Sequence, residues 1–247
     1  VIQLFAPAKL TWFLEVTGVR HDGYHLLRSE MLAVSLMDQL VLDETADYLR
    51  VVGPDSVPSD DSNLIRRALA LMGRRAGVTL DKQIPTGGGL GGGSSDAAAI
   101  LRWAGGVAPE VAATLGSDVP FCQLGGRALV EGVGEVVTPL AFEEREVTLF
   151  LADFGVSTPL VYRAYDEMVA SGHRPSGDNH LEAPACAVEP RLARLLQWAR
   201  AQFATARLAG SGSTVFVEGH PFETPYGQLE GPDGVLRWYQ CVTTPAA

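Results

Sequence analysis

Cysteine is scarce, basic charge is in deficit and long apolar runs are missing, and each absence argues against a class of protein. The three cysteines, Cys122, Cys186 and Cys241, are scattered without a CxxC pair. A disulfide framework or a cysteine zinc site is therefore not expected, and a reducing, cytoplasmic setting is. Lysine and arginine number 19 against 29 aspartates and glutamates, a net charge of −10. That balance argues against partners such as nucleic acid or an anionic membrane, while a small nucleotide needs only a local patch. No apolar run approaches the roughly 18 residues of a membrane span. Val1 to Lys9 lacks the basic and long apolar regions of a signal peptide. His21 and His25 stand four apart without an HExxH pattern or further ligands, so no metal site is expected there. No internal repeat is visible.

What is present is glycine, and it is concentrated. Six of the seven residues from Gly87 to Gly93 are glycine, in the stretch Pro85-Thr86-Gly87-Gly88-Gly89-Leu90-Gly91-Gly92-Gly93-Ser94-Ser95-Asp96. Glycine is costly to order, so such density points to positive φ or to close backbone approach. Both suit a phosphate chain wrapped by backbone N–H groups at a helix N-terminus. A flexible linker would run on in Ser and Gly; here the alanine-rich stretch Ala97-Ala98-Ala99-Ile100-Leu101 begins a helix at once. No lysine follows the glycines, which removes the Walker A class. Gly87, Gly89 and Gly92 satisfy G-x-G-x-x-G, but a glycine run satisfies it almost automatically. Pro85-Thr86 also separates the glycines from the preceding strand, unlike a dinucleotide fold. No strand lysine and HRD pair follows, as a protein kinase would need.

The rest of the chain, 47% hydrophobic and 247 residues long, has material for one large domain or two modest ones. Strands are expected over Val1–Phe5, Trp12–Val16, Ser29–Leu42, Leu49–Val52, Val78–Ile84 and Val147–Ala152. Ala6 to Thr11 reads as a turn-like break, with Lys9 as a surface charge on spacing alone. Asp55 to Asp61 is loop, and Asp61-Ser62-Asn63 caps a helix from Leu64 to about Ala76. Further helices are expected from about Ser95 to Trp103, Ala108 to Leu115, Pro159 to about Ser171, and Pro190 to Phe203. Gly116-Ser117-Asp118-Val119-Pro120-Phe121 places an acid rigidly between a helix end and a Pro-fixed strand start. Arg20 to His25 is a turn that projects Tyr24 and His25. The acidic run Glu143-Glu144-Arg145-Glu146 suits a domain boundary. Trp198 and Trp238 are read as core or rim residues that imply no partner.

Three of these stretches occur together in one family. Ala6-Pro7-Ala8-Lys9-Leu10, Pro85 to Ala98 and Leu208-Ala209-Gly210-Ser211-Gly212-Ser213 resemble, in order, the three motifs of the GHMP small-molecule kinases. The resemblance implies an α+β, two-domain fold. Residues 1–146 would form an N-terminal β-α-β domain with a left-handed-crossover-type sheet. Residues 147–247 would form a C-terminal ferredoxin-like α/β sandwich, with the active site in the cleft between them. Asp22-Gly23-Tyr24-His25 and Gly116 to Phe121 narrow the resemblance to members that phosphorylate a cytidine-diphosphate-linked methylerythritol in isoprenoid precursor synthesis. It implies that Pro85, Thr86, Gly87, Gly88, Gly89, Leu90, Gly91, Gly92, Gly93, Ser94 and Ser95 hold ATP, and that Mg²⁺ arrives with the nucleotide. Asp118 would accept the hydroxyl proton beside Lys9, which reverses the surface reading of that lysine. Tyr24 and His25 would hold the cytosine, with Tyr162 closing its other face. The expected state is a monomer or weak homodimer. Thr11 stands where the family carries Asn, which puts one polar contact near the substrate in question. Two alternatives remain: a GHMP kinase for another small alcohol, and a catalytically silent nucleotide-binding relative. Retention of both Lys9 and Asp118 speaks against the second.

Overall fold

The first strand does not break at Ala6–Thr11. In the computed structural model, which describes residues 1–53 and 57–246, β1 runs unbroken over Ile2–Val19. It pairs antiparallel with the equally long β2, His25–Asp43. Proline cannot donate to a ladder, and the register shifts between Pro7 and Ala8, then again between Thr11 and Phe13. The expected turn is therefore a bulge, which re-aims side chains without ending the strand. Ala8, Lys9, Leu10 and Thr11 are all buried, because this segment is covered on both faces. Ala8 and Leu10 join one apolar cluster, while the Lys9 backbone N–H donates to Leu90 O at 3.0 Å beneath the glycine loop.

The chain continues through β3 (Tyr48–Val52), α1 (Leu64–Leu71), β4 (Gly77–Asp81), α2 (Gly92–Trp103), α3 (Pro109–Ala112), α4 (Val119–Leu124), β5 (Arg127–Gly132) and β6 (Val136–Pro139). Asp55 and Ser56, within the expected 55–61 loop, lie outside the described residues. Asn63 caps α1, accepting from the Ile65 N–H at 2.9 Å. The helix stops at Leu71, short of Ala76, where Gly73 turns the chain at φ 60°. The first sheet has the order β3-β4-β2-β5-β6, with β1 also on β2; β3 and β4 are parallel, with α1 crossing between them. The alanine-rich α2 buries Ser95 to Leu101 without interruption against the β1–β2 sheet, α1 and α4. Where a strand was expected after Asp118, Pro120 starts a helix instead. Its fixed φ suits a first helical turn as well as a strand.

A second sheet follows, in the order β10-β11-β7-β9-β8. It is built from β7 (Glu146–Leu151), β8 (Arg207–Leu208), β9 (Val215–Glu218), β10 (Tyr226–Gly231) and β11 (Gly234–Val242). Its helices are α5 (Thr158–Ala170), α6 (Glu182–Val188) and α7 (Pro190–Gln202). The α6 helix and β10 fall where the sequence carries no clear periodicity. Trp238 is 5% exposed and Trp198 packs on the same core, as read. A separate cluster joins the two sheets: Ala8, Leu10 and Leu32 meet Val147, Leu149, Leu151 and the fully buried Phe216. The chain end returns to the first sheet, where Thr244 N–H donates to Ala33 O at 2.8 Å. Among the described residues no helix is long and apolar enough to cross a membrane.

Candidate active site

Where the two sheets meet, the glycine loop is held from both sides. Gly91 takes φ 66° at the N-cap of α2, a conformation that an L side chain rarely adopts. A Cβ there would stand 2.7 Å from Lys9 Cγ, so the backbone lies directly on the lysine stem. No side chain of the N-cap residue bonds the first N–H groups of the helix. Gly89 is equally confined, since a Cβ would stand 2.7 Å from Gly212 O in the 208–214 turn. Thr214 binds the loop as well, donating from Oγ1 to Gly88 O at 2.6 Å. Gly88, Leu90 and Ser95 are the buried ones of the eleven loop residues, and the last two turn their side chains inward. Leu90 is 1% exposed in the core, and Ser95 donates its hydroxyl to Pro7 O at 2.6 Å. These two support the loop from beneath; their side chains do not line its open face. Ser94 stands across from Gly116, whose Cβ would lie 3.6 Å from its hydroxyl oxygen.

Lys9 and Asp118 come together at the edge of this loop. Lys9 Nζ is 3.3 Å from Asp118 Oδ2 and donates to Thr11 Oγ1 at 3.1 Å. Asp118 stands at the N-cap of α4 yet makes no capping bond, because its carboxylate turns to the lysine. The pair differs in access: the lysine side chain is 8% exposed and the carboxylate 27%. A carboxylate paired with a buried ammonium and still partly exposed is placed to accept a proton. Thr11 occupies the lysine's side facing Gly210, whose Cβ would lie 3.3 Å from Thr11 Oγ1. The hydroxyl accepts from Lys9 and has one O–H to donate, where an amide would have two N–H donors.

A cavity of about 510 Å³ is lined by Ser117, the neighbour of Asp118 in the chain, and by Tyr162, whose phenol senses the Asp118 charge. Tyr24, His25, Thr158 and Asp166 also line it. The His25 ring stacks on Tyr162 with centroids 4.6 Å apart, and its Nε2 lies 2.7 Å from Asp166 Oδ1. Tyr24 is the exposed aromatic, at 62%. Burial raises the Tyr162 phenol above its ordinary range, and the negative Asp118 adds to the effect. The sequence reading named Lys9 and Asp118, which the structure pairs, and Tyr24, His25 and Tyr162, which it sets around one cavity.

It missed others. Asn179, read as part of a polar loop, is buried and donates to both Leu208 O and Gly210 O, pinning the 208–214 turn. Asp166 was legible, since it lies four residues after Tyr162 on α5 and so shares a helix face. Lys82, Asp38 and Asp96 form a buried cluster behind the loop that no spacing rule signals. Among the described residues there is no group of three or more histidine, cysteine or acidic side chains placed to hold a metal ion.

Comparison with known proteins follows this geometry. The family described as GHMP kinases, N terminal domain, matches residues 63–126, the stretch that carries α1, the glycine loop, α2 and Asp118. A crystal structure of mevalonate kinase superposes with a TM-score of 0.59 over 99% of this chain and 100% of that one, at 12% identity, a likeness of fold alone. The fold is that of the GHMP kinases. A protein of Paracoccus denitrificans named 4-diphosphocytidyl-2-C-methyl-D-erythritol kinase is 39% identical over 85% of this chain and 84% of its own length. The crystal structure of a 4-(cytidine 5'-diphospho)-2C-methyl-D-erythritol kinase is 34% identical, with a TM-score of 0.74 over 98% of this chain and 99% of that one. At this identity and coverage the chain belongs to the family of 4-diphosphocytidyl-2-C-methyl-D-erythritol kinases.

Proposed function

We propose that this protein transfers the γ-phosphoryl group of ATP to the 2-hydroxyl of 4-diphosphocytidyl-2-C-methyl-D-erythritol, in the non-mevalonate route to isoprenoid precursors. One observation carries the reading: the Lys9–Asp118 pair, at 3.3 Å, lies against Gly91 of the glycine loop, while Ser117, next to Asp118 in the chain, lines the cavity shared by Tyr24, His25 and Tyr162. A phosphate donor and an alcohol acceptor bound on those two sides meet at the pair. Phosphoryl transfer asks chiefly for alignment and charge stabilisation. The Gly87–Gly93 backbone and the uncapped N-terminus of α2 supply N–H groups to the ATP phosphates. The hydroxyl proton passes to an Asp118 carboxylate oxygen as the hydroxyl oxygen attacks the γ-phosphorus. The bond from that phosphorus to the bridging oxygen breaks, and ADP leaves. Lys9 pairs with the carboxylate and stabilises negative charge on the attacking oxygen.

The cytosine enters the 510 Å³ cavity. His25 already covers one face of Tyr162, so a base stacks on Tyr162 only from its other face. Tyr24, exposed and with the Arg20 guanidinium 5.4 Å from its ring centre on one face, covers the base with the other, and His25, with Nε2 committed to Asp166, offers Nδ1 to its edge. The oxygen donors beside the loop include the Asp118 carboxylate, tied to a lysine, and the Ser94 hydroxyl. Such oxygens would suit Mg²⁺ brought with ATP, the Ser94 hydroxyl being one side-chain oxygen that would hold it. Bound there, Mg²⁺ would supply charge neutralisation of the phosphates. The same reading divides the chain into kinase domains at 1–146 and 147–247, supported by the sheets: strands of the first end by Pro139, and those of the second begin at Glu146. It also places the enzyme in the cytoplasm.

The test follows ADP release from Mg·ATP with the cytidylyl-methylerythritol substrate, using Asp118→Asn as control. Wild type turns over, and the variant loses about 10²- to 10⁴-fold in kcat, the range of a general base. No turnover by wild type, or equal turnover by both proteins, overturns the assignment.

A further inference from the structure

Behind the glycine loop lies a cluster of charge that the reaction does not touch. Lys82 follows β4, is 3% exposed, and sets its ammonium between Asp38 of β2 and Asp96 of α2, both also buried. Nζ is 2.5 Å from Asp38 Oδ2 and 3.1 Å from Asp96 Oδ2. The other Asp38 oxygen accepts the backbone N–H groups of Gln83 and Ile84, the residues that lead into the loop. A Cβ on Gly92, the first residue of α2, would fall 2.6 Å from Nζ. The ammonium is thus directly behind the helix start.

Three ionisable groups withdrawn from water are a poor way to stabilise a core. Apolar residues of similar volume often serve as well or better. This cluster is not even fully satisfied, since Asp96 Oδ1 has no hydrogen-bond partner among the described residues. Nor does Lys82 replace the lysine that the loop lacks. It is buried behind the loop and its ammonium is held by Asp38 and Asp96. What the cluster does is connect. Asp38 grips the incoming stem of the loop through two backbone N–H groups, and Lys82 grips the outgoing helix through Asp96. Between those stems hang the glycines, which have little intrinsic preference for any one conformation.

We propose that Lys82, Asp38 and Asp96 are positioning residues that fix the two stems of the glycine loop at the spacing required to bind ATP. This rests on the reading of the loop as the ATP site. Loss of the link loosens the phosphate cradle while leaving the alcohol site, on the far side of Lys9 and Asp118, as it was.

The informative variant is Asp96→Ala. Lys82→Met would leave two buried carboxylates facing one another without a cation and threatens folding. Asp96→Ala leaves Lys82 and Asp38 as a balanced pair and cuts only the helix-side link. Asp96→Asn is the rescue, because its amide oxygen still accepts from Lys82. Burial, with Asp38 alongside, pushes the Asp96 carboxyl up to about 8 against the pull of Lys82, so asparagine is close to its neutral form. For Asp96→Ala, KM for ATP and the Kd of a non-hydrolysable ATP analogue measured by calorimetry rise about 10-fold, while KM for the cytidylyl substrate stays within about 2-fold. For Asp96→Asn, both ATP constants return to within about 3-fold of wild type. Circular dichroism and melting confirm that each variant is folded at the assay temperature. Wild-type ATP constants in Asp96→Ala, or an equal rise in both variants, overturn the inference while the ATP-loop assignment stands. Failure of the wild type to bind the analogue overturns that assignment and the inference with it.

Discussion

Replacing Gly91 by alanine separates the loop's two duties. The residue sits at φ 66°, where alanine is penalised by about 1–2 kcal/mol. Its added Cβ would stand 2.7 Å from Lys9 Cγ and 3.3 Å from Lys9 Cε. Carbon–carbon contacts settle at about 3.5–4.0 Å, so loop and lysine must part by roughly 1 Å. Lys9 Nζ depends on that stem to stay within 3.3 Å of Asp118. A displacement of about 1 Å at reacting groups costs on the order of 100-fold. The expected result is a kcat lower by about 100-fold in the ADP-release assay with both substrates saturating. For a chain of this size the backbone strain lowers Tm by roughly 2–8 °C, at about 2–4 °C per kcal/mol. Gly73→Ala is the control. Gly73 has φ 60° just past α1, and nothing lies within 4 Å of its Cβ position. It should show a similar fall in Tm with kcat unchanged. If Gly91→Ala keeps kcat within about 3-fold of wild type, the loop does not hold Lys9 in place and the reasoning fails.

Tyr24→Ala combined with His25→Ala removes one stacking ring and one edge contact, together worth about 2 kcal/mol, so KM for the cytidylyl substrate rises about 30-fold and KM for ATP hardly moves. A parallel rise in both constants would refute the cytosine assignment. For Asp96 the folded carboxyl, pushed up to about 8, lies above its unfolded value, so between about pH 4 and 8 the native state holds a proton that the unfolded chain has lost. Stability from this group therefore falls as pH rises through that window. Asp96→Asn should melt higher than wild type at pH 9 and close to it at pH 5; an offset independent of pH would contradict the sign. Burial pushes the Cys186 and Cys241 thiols up to about 11 and raises Cys122 as well. At pH 8 the native protein should react slowly with a thiol reagent and the denatured chain with all three equivalents, whereas rapid native labelling would place a thiol at the surface.

Local chemistry was readable wherever one residue type has one use. The glycine density announced a backbone cradle, Asn63 announced a helix start, and the alanine run after Ser95 announced the helix that carries the cradle. No lysine follows the glycines, and Lys9, paired with Asp118 at 3.3 Å, lies against Gly91 from far upstream in the chain. Pro7 and Pro120 were misread because proline fixes φ without fixing its setting. Pro7 sits in a bulge and Pro120 in a first helical turn. Asn179 and the cluster of Lys82, Asp38 and Asp96 left no mark in the order of residues, since their partners lie far along the chain and their meaning is their burial.

The sequence by itself determined what could bind: a phosphate-wrapping backbone, an aromatic and imidazole pair, and one acid and one amine suited to proton transfer. Only the tertiary structure decided that these meet. The bulge at Pro7 and Ala8 and the cover on both faces of β1 bury Lys9, and the start of α4 brings Asp118 to 3.3 Å from it. Spacing along a chain specifies which faces local elements present, but burial and pairing depend on what another element places against them.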